Sequence, residues 1–107
     1  MRDIKFRAWD KVNNNYYYNV QDIHDNIVAD SFGNILENEE FVVEQYTGNK
    51  DVNGVEIYEN DILKSSGGNT EVVIYIDGRF EPVCWYGGKN YEVTGNIHKQ
   101  PELFEDK

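Results

Sequence analysis

The stretch QYTGNKDVNGVEIYENDILK, residues 45–64, decides the fold. Phe41 to Tyr46 runs into Thr47-Gly48, and Asp51-Val52-Asn53-Gly54 separates that run from Val55-Glu56-Ile57-Tyr58, where apolar and polar residues alternate. A period of two is the spacing of a strand with one wet face, so the segment reads as strand, turn, strand, and Asp61-Ile62-Leu63-Lys64 opens a further extended run. Asn and Gly both take positive φ at low cost. A primed turn, which matches the twist of the flanking strands, is therefore expected at Asn53-Gly54.

Towards the C-terminus, Ser65-Ser66-Gly67-Gly68-Asn69 has the composition of a loop tip. Thr70 to Asp77 alternates again, with Val72, Ile74 and Ile76 opposed to Glu71, Val73 and Tyr75. Asp77-Gly78 is a second hairpin signal, with the chain expected to return as a strand from Arg79 to Tyr86. Pro82 places that return at an edge or bulge, because proline gives the ladder no N–H. Gly87-Gly88 turns the chain into a strand from Asn90 to Thr94, Gly95-Asn96 leads out of it, and Pro101 limits Glu102-Leu103-Phe104 to a short helical turn.

Towards the N-terminus, residues 3–9 alternate, with Ile4, Phe6 and Ala8 on one face and Lys5, Arg7 and Trp9 on the other. Asp10 to Asn15 reads as a turn and Tyr16 to Val20 as a second strand. Between Gln21 and Glu40, Ile23, Ile27, Val28, Phe32, Ile35 and Leu36 give partial helical spacing that Gly33-Asn34 interrupts. Short strands or one helical turn joined by acidic loops are expected there, with Asp22, Asp25, Asp30, Glu37, Glu39 and Glu40 as a solvated face. Turns recur about every eight to twelve residues, the rhythm of a small antiparallel barrel or sandwich. The expected fold is mostly β, a single domain over residues 1–107, with short helical turns at most.

The central stretch also resembles the signature of the YopX family, small proteins encoded by phages and prophages of Gram-positive bacteria. The resemblance rests on the succession QYTG, K-D, NG, EIYE and DI, on the opening RDIKFRAWD at Arg2 to Asp10, and on the closing VTGNIHKQPEL at Val93 to Leu103. These blocks cover about two fifths of the chain and occur in the family's order. At Asn60 the family more often has Gly; Asn is the next most tolerant residue for a left-handed backbone, so the turn is expected to survive. The resemblance implies a mostly β domain with no established activity.

The formal net charge is −10 and unevenly spread: residues 1–12 hold four Lys or Arg against two Asp, and residues 13–46 hold seven acids and no Lys or Arg. So acidic a surface repels phosphate backbones, and direct nucleic-acid binding is not expected. The single cysteine, Cys84, cannot close an internal disulfide, which fits a reducing compartment. No apolar run has the length of a membrane helix or forms a signal-peptide core, so a cytoplasmic protein with no membrane association is expected.

Chemistry has few candidate carriers. Tyr46, Gly48, Asp51, Gly54, Ile57, Tyr58, Glu59 and Asp61 make up the central motif. Paired carboxylates can do acid–base work or bind a divalent cation, but Asp in a turn more often bonds local backbone groups, and acids at strand ends discourage edge-to-edge association. The motif is read as structural, with Asp61 stabilising a turn. His24 and His98 show no metal-ligand spacing, and Cys84, in an apolar run beside Trp85, reads as a buried structural cysteine. No P-loop, dinucleotide fingerprint or nucleophile elbow occurs. No catalytic residue, metal or cofactor is assigned.

Arg7, Trp9 and Tyr17 are the candidate interface residues. Fourteen per cent of residues are aromatic, and the N-terminal basic cluster contrasts with the acidic remainder. Together these favour a homo-oligomer, or a phage or host protein as partner. The leading reading is a non-catalytic accessory module for protein interaction or self-assembly. Behind it stand an acidic, DNA-mimicking inhibitor of a host nucleic-acid-binding protein and a small carboxylate-dependent hydrolase or nuclease.

Overall fold

The structure is a computed structural model that describes residues 4–22 and 36–100. The chain is mostly β and antiparallel, in two compact units that divide between Gln45 and Tyr46. The C-terminal turn at residues 102–104, most of the region between Gln21 and Glu40, and His24 lie outside the described residues.

In the first unit, β1 (Phe6–Asp10) lies between β2 (Asn15–Tyr18) and the start of β3 (Phe41–Lys50), antiparallel to both. Asp10 turns the chain from β1 to β2: its Oδ1 accepts the N–H groups of Val12 and Asn13, its Oδ2 accepts Asn13 Nδ2, and Asn14 takes φ 58°. The strand expected to reach Val20 stops at Tyr18. Asn19 is left-handed at φ 60°, and Val20 opens a 3₁₀ turn to Asp22. Ala8, Val20 and Phe41 form the buried core here, with Phe6, Tyr17 and Val43 packed on it.

The second unit begins with the rest of β3, whose Tyr46 pairs with Tyr58 in β4 (Glu56–Tyr58). A three-stranded sheet follows in the order β6 (Thr70–Val72), β5 (Asp61–Ser65), β9 (Tyr91–Asn96). A separate ribbon pairs β7 (Ile74–Ile76) with β8 (Arg79–Glu81). The helical turn α1 (Val83–Tyr86) and a 3₁₀ turn (Gly88–Asn90) connect that ribbon to β9. Ile57, Leu63, Val73, Val83 and Tyr91 are the core of this unit, with Phe80 and Val93 against it.

Three local expectations are corrected. The single strand from Thr70 breaks at Val73, which is fully buried and bonded by its backbone to Asn60 and Asp61. Ile74 and Ile76, which the alternation set on one face with the half-buried Val72, are exposed. The return strand from Arg79 ends at Glu81, and Pro82 introduces a helical turn on which Cys84 is exposed, so it is no core cysteine. β9 continues through Gly95 to Asn96, because the register shift opposite Ile62 and Leu63 absorbs Thr94 as a bulge.

Candidate functional site

Asp51 organises the central motif. Its Oδ1 accepts the N–H groups of Asn53 and Val55, each at 2.8 Å, and its Oδ2 accepts the Val93 N–H of β9 at 2.9 Å. The side chain is buried, so three main-chain donors surround it where water does not. Asp51 N–H bonds Val55 C=O, Gly54 N–H bonds Asp51 C=O, and Gly54 takes φ 86°. This is a three-residue loop closed by a left-handed glycine, not the primed turn expected at Asn53-Gly54, since Asn53 keeps a negative φ. The Asp51 carboxylate holds this longer loop by bonding both Asn53 and Val55.

The loop from Ser65 to Asn69 repeats the design. Ser65 N–H bonds Asn69 C=O, Gly68 N–H bonds Ser65 C=O, and the Ser65 hydroxyl accepts the Asn69 N–H. At the other end of β4, Asp61 Oδ2 accepts the Tyr58 N–H at 2.8 Å across a turn in which Asn60 takes φ 69°. Ile57 and Tyr58 are buried, the Tyr46 and Tyr58 rings lie 5.5 Å apart, and the Tyr58 hydroxyl donates to Glu56. Glu59 is half-buried beside them.

The motif borders a shallow depression of about 520 Å³ whose wall includes Gly48, Lys50, Asp51, Gly88 and Lys89. The floor is tight: a Cβ on Gly88 would lie 2.1 Å from the Lys50 carbonyl oxygen. The carboxylate on this wall is already committed to three backbone N–H groups, so the depression offers no free acid–base pair from Asp51. Among the described residues, no three His, Cys, Asp or Glu side chains gather as a metal site. His98, for its part, lies in a turn where its N–H bonds Asn96 Oδ1.

The candidate interface residues of the first unit are not an exposed edge. β1 is flanked on both sides, and Arg7 and Trp9 are 4 % and 6 % exposed. Arg7 Nε bonds Glu44 Oε1 at 2.7 Å, directly across from it on β3, and the Tyr16 hydroxyl donates to the same oxygen at 3.0 Å. The guanidinium lies 4.3 Å from the centre of the Tyr16 ring, which packs on Trp9. Tyr17 is half-buried against the core and meets Phe41 edge to face. The alternation in residues 3–9 marked one face as polar, but Glu44 and Tyr16 satisfy that polarity internally.

Glu40, placed on a solvated face from sequence, is half-buried. Its carboxyl pKa is raised by burial, by a hydrogen bond shared with Asp10, and by the charge of Asp10. Burial also pushes the Asp10 pKa upward, but hydrogen bonds from the Asn13 side chain and from the Asn13 and Val12 N–H groups outweigh it, and the net shift is downward. Glu37 and Glu39 are exposed.

Large apolar side chains are also exposed at Ile4, Val12, Tyr18, Leu36, Val52 and Val55, but they are densest in residues 74–86. Ile74, Tyr75 and Ile76 are 45, 55 and 44 % exposed, and Trp85 and Tyr86 are 59 and 66 % exposed. Arg79 lies 4.8 Å from the Trp85 ring centre, and Trp85 Nε1 bonds Glu81 at 3.3 Å. The alternation set Ile74 and Ile76 on one face without saying which face is exposed. Asp77-Gly78 was the signal available, since a tight hairpin there forces Ile76 beside Arg79 at the exposed end of a short ribbon.

These features define a class: a small antiparallel β protein whose acidic motif is fastened into its own turns and whose exposed apolar side chains are densest on a two-stranded ribbon and the helical turn after it. The chain matches the family model described as YopX protein over residues 5–105, and it belongs to that family. It is similar to the crystal structure of protein EF1440 from Enterococcus faecalis, at 29 % identity over 98 % of this chain and 100 % of that chain, with a TM-score of 0.70. No curated protein matches the sequence.

Proposed function

We propose that the chain is a non-catalytic accessory module of phage or prophage origin, acting in the cytoplasm by binding protein through the ribbon and helical turn of residues 74–86. One observation carries this reading: five large apolar side chains, Ile74, Tyr75, Ile76, Trp85 and Tyr86, are each at least 44 % exposed within thirteen residues of chain. Exposed apolar surface concentrated in this way is the mark of a binding site rather than of an ordinary wet surface. Asp51 and Asp61, the carboxylates best placed for hydrolysis, instead accept backbone hydrogen bonds while buried.

The test is capture from lysate of a Gram-positive host on the immobilised full chain and on an Ile76→Lys/Trp85→Ala variant, at low and moderate salt. Retention that survives moderate salt and is lost in the variant is expected. Retention equal on both proteins contradicts the reading. Release of a DNA-binding protein by moderate salt would promote the acidic-decoy alternative instead.

A further inference from the structure

β7 has an open edge. In a two-residue hairpin the residues flanking the loop, here Ile76 and Arg79, exchange both backbone hydrogen bonds, and the next pair, Tyr75 and Phe80, exchanges none. Tyr75 therefore directs its N–H and C=O away from β8, on an edge that carries Ile74 and Ile76 and no charged residue or proline. The β8 side is less open, since Phe80 and Glu81 are half-buried beside α1. A two-stranded ribbon is marginal alone, and an uncharged apolar strand edge is a template for another strand.

We propose that this edge pairs with the same edge of a second copy, antiparallel and centred on Tyr75, giving a four-stranded sheet with a β8 at each margin. The proposal rests on the interaction-module reading and names its partner. Ile-Tyr-Ile reads the same in both directions, so a two-fold axis through the Tyr75 pair sets each Ile74 opposite the other copy's Ile76. The outward N–H and C=O of each Tyr75 are then satisfied by those of its mate. Residues paired across a ladder share a face, so one face gathers four isoleucines and the other gathers the Tyr75 and Phe80 rings, already 4.9 Å apart within each copy.

Charge fits a second copy as well. A net charge of −10 opposes self-association, but each row of side chains across the new sheet runs Arg79, Ile76, Ile74, Glu81, so it begins with a cation from one copy and ends with an anion from the other. The contact is small and the association correspondingly weak. Moderate salt strengthens it by screening the overall repulsion, whereas a complex with a basic partner would weaken.

Sedimentation velocity of the full chain from low to high micromolar concentration, at low and moderate salt, tests this. The wild type is expected to form a reversible dimer favoured by moderate salt. Ile74→Lys/Ile76→Lys, which alters only exposed side chains, should weaken dimerisation at least tenfold. Tyr75→Pro, which removes an outward N–H and no β7–β8 hydrogen bond, should do the same; circular dichroism and melting establish that each variant is folded. A wild type that stays monomeric throughout, or a dimer that persists in both variants, overturns the inference. If the wild type is monomeric while ribbon variants still lose a captured protein, the second copy is the wrong partner and the interaction-module reading stands.

Discussion

At the scale of single residues, Asp51 is the position on which the second unit most depends. Replacing it by Ala strips three part-buried N–H groups of their acceptor, and each such loss costs about 1 kcal/mol. Asp51→Ala is therefore expected to lower the melting temperature by many degrees, with Asp51→Asn falling between it and the wild type because one carbonyl oxygen remains. Asp61→Ala, which removes the acceptor of the buried Tyr58 N–H, should cost about 2 kcal/mol. Thermal melts of the three variants check the order.

Tyr91 supplies a pH dependence. Burial, then the charges of Glu71 and Tyr86, raise its pKa above the ordinary value of 10.0. A raised pKa means that the folded state holds the proton more tightly than the unfolded state. The stabilisation is thus fully present below about pH 10 and is lost as pH rises through the folded-state value. Tyr91→Phe should flatten this alkaline loss, measured by denaturant unfolding across that range. Asp10 works in the opposite direction: with its pKa lowered, it contributes above its ordinary value of 3.8 and loses that contribution as pH falls.

Residue-level conformations were legible where the cause was local. Asn60 is left-handed, as the chemistry of Asn in place of Gly implies, and Asp77-Gly78 takes positive φ at both positions. Asn53-Gly54 misled because a side chain two residues upstream competes with the dipeptide for the turn. Nothing in the dipeptide itself records that competition.

At the scale of elements, the alternation from Thr70 to Ile76 is unbroken in sequence but not in the chain. Val73 is captured by Asn60 and Asp61, more than ten positions away, and the strand divides between two sheets. Periodicity reports the pleat and carries no information on which strand each residue pairs with. The same limit hid the burial of Trp9 and Arg7, which depends on Glu44 and Tyr16 meeting them across two ladders. This pairing has a measurable consequence. Glu44→Ala removes the carboxylate from the buried Arg7–Glu44 pair and should cost about 3–5 kcal/mol, whereas Arg7→Met/Glu44→Leu, which removes both charges, should cost much less. A double-mutant cycle in denaturant reads the difference.

At the scale of the whole molecule, the mostly β antiparallel class followed from the spacing of turns, and the family followed from three blocks of sequence in order. The proposed interaction surface did not, because exposure of Ile74, Ile76 and Trp85 is settled by where β5, β6 and α1 lie. The acidic motif builds structure, and the ribbon is the proposed binding surface. Amide hydrogen exchange of the full chain at low and high concentration tests both halves together. The Val55, Tyr58 and Val93 amides are expected to be protected at every concentration, and the Tyr75 amide to exchange fast when dilute and slow when concentrated. Fast exchange at Val55 and Val93, or a Tyr75 amide indifferent to concentration, would contradict the account.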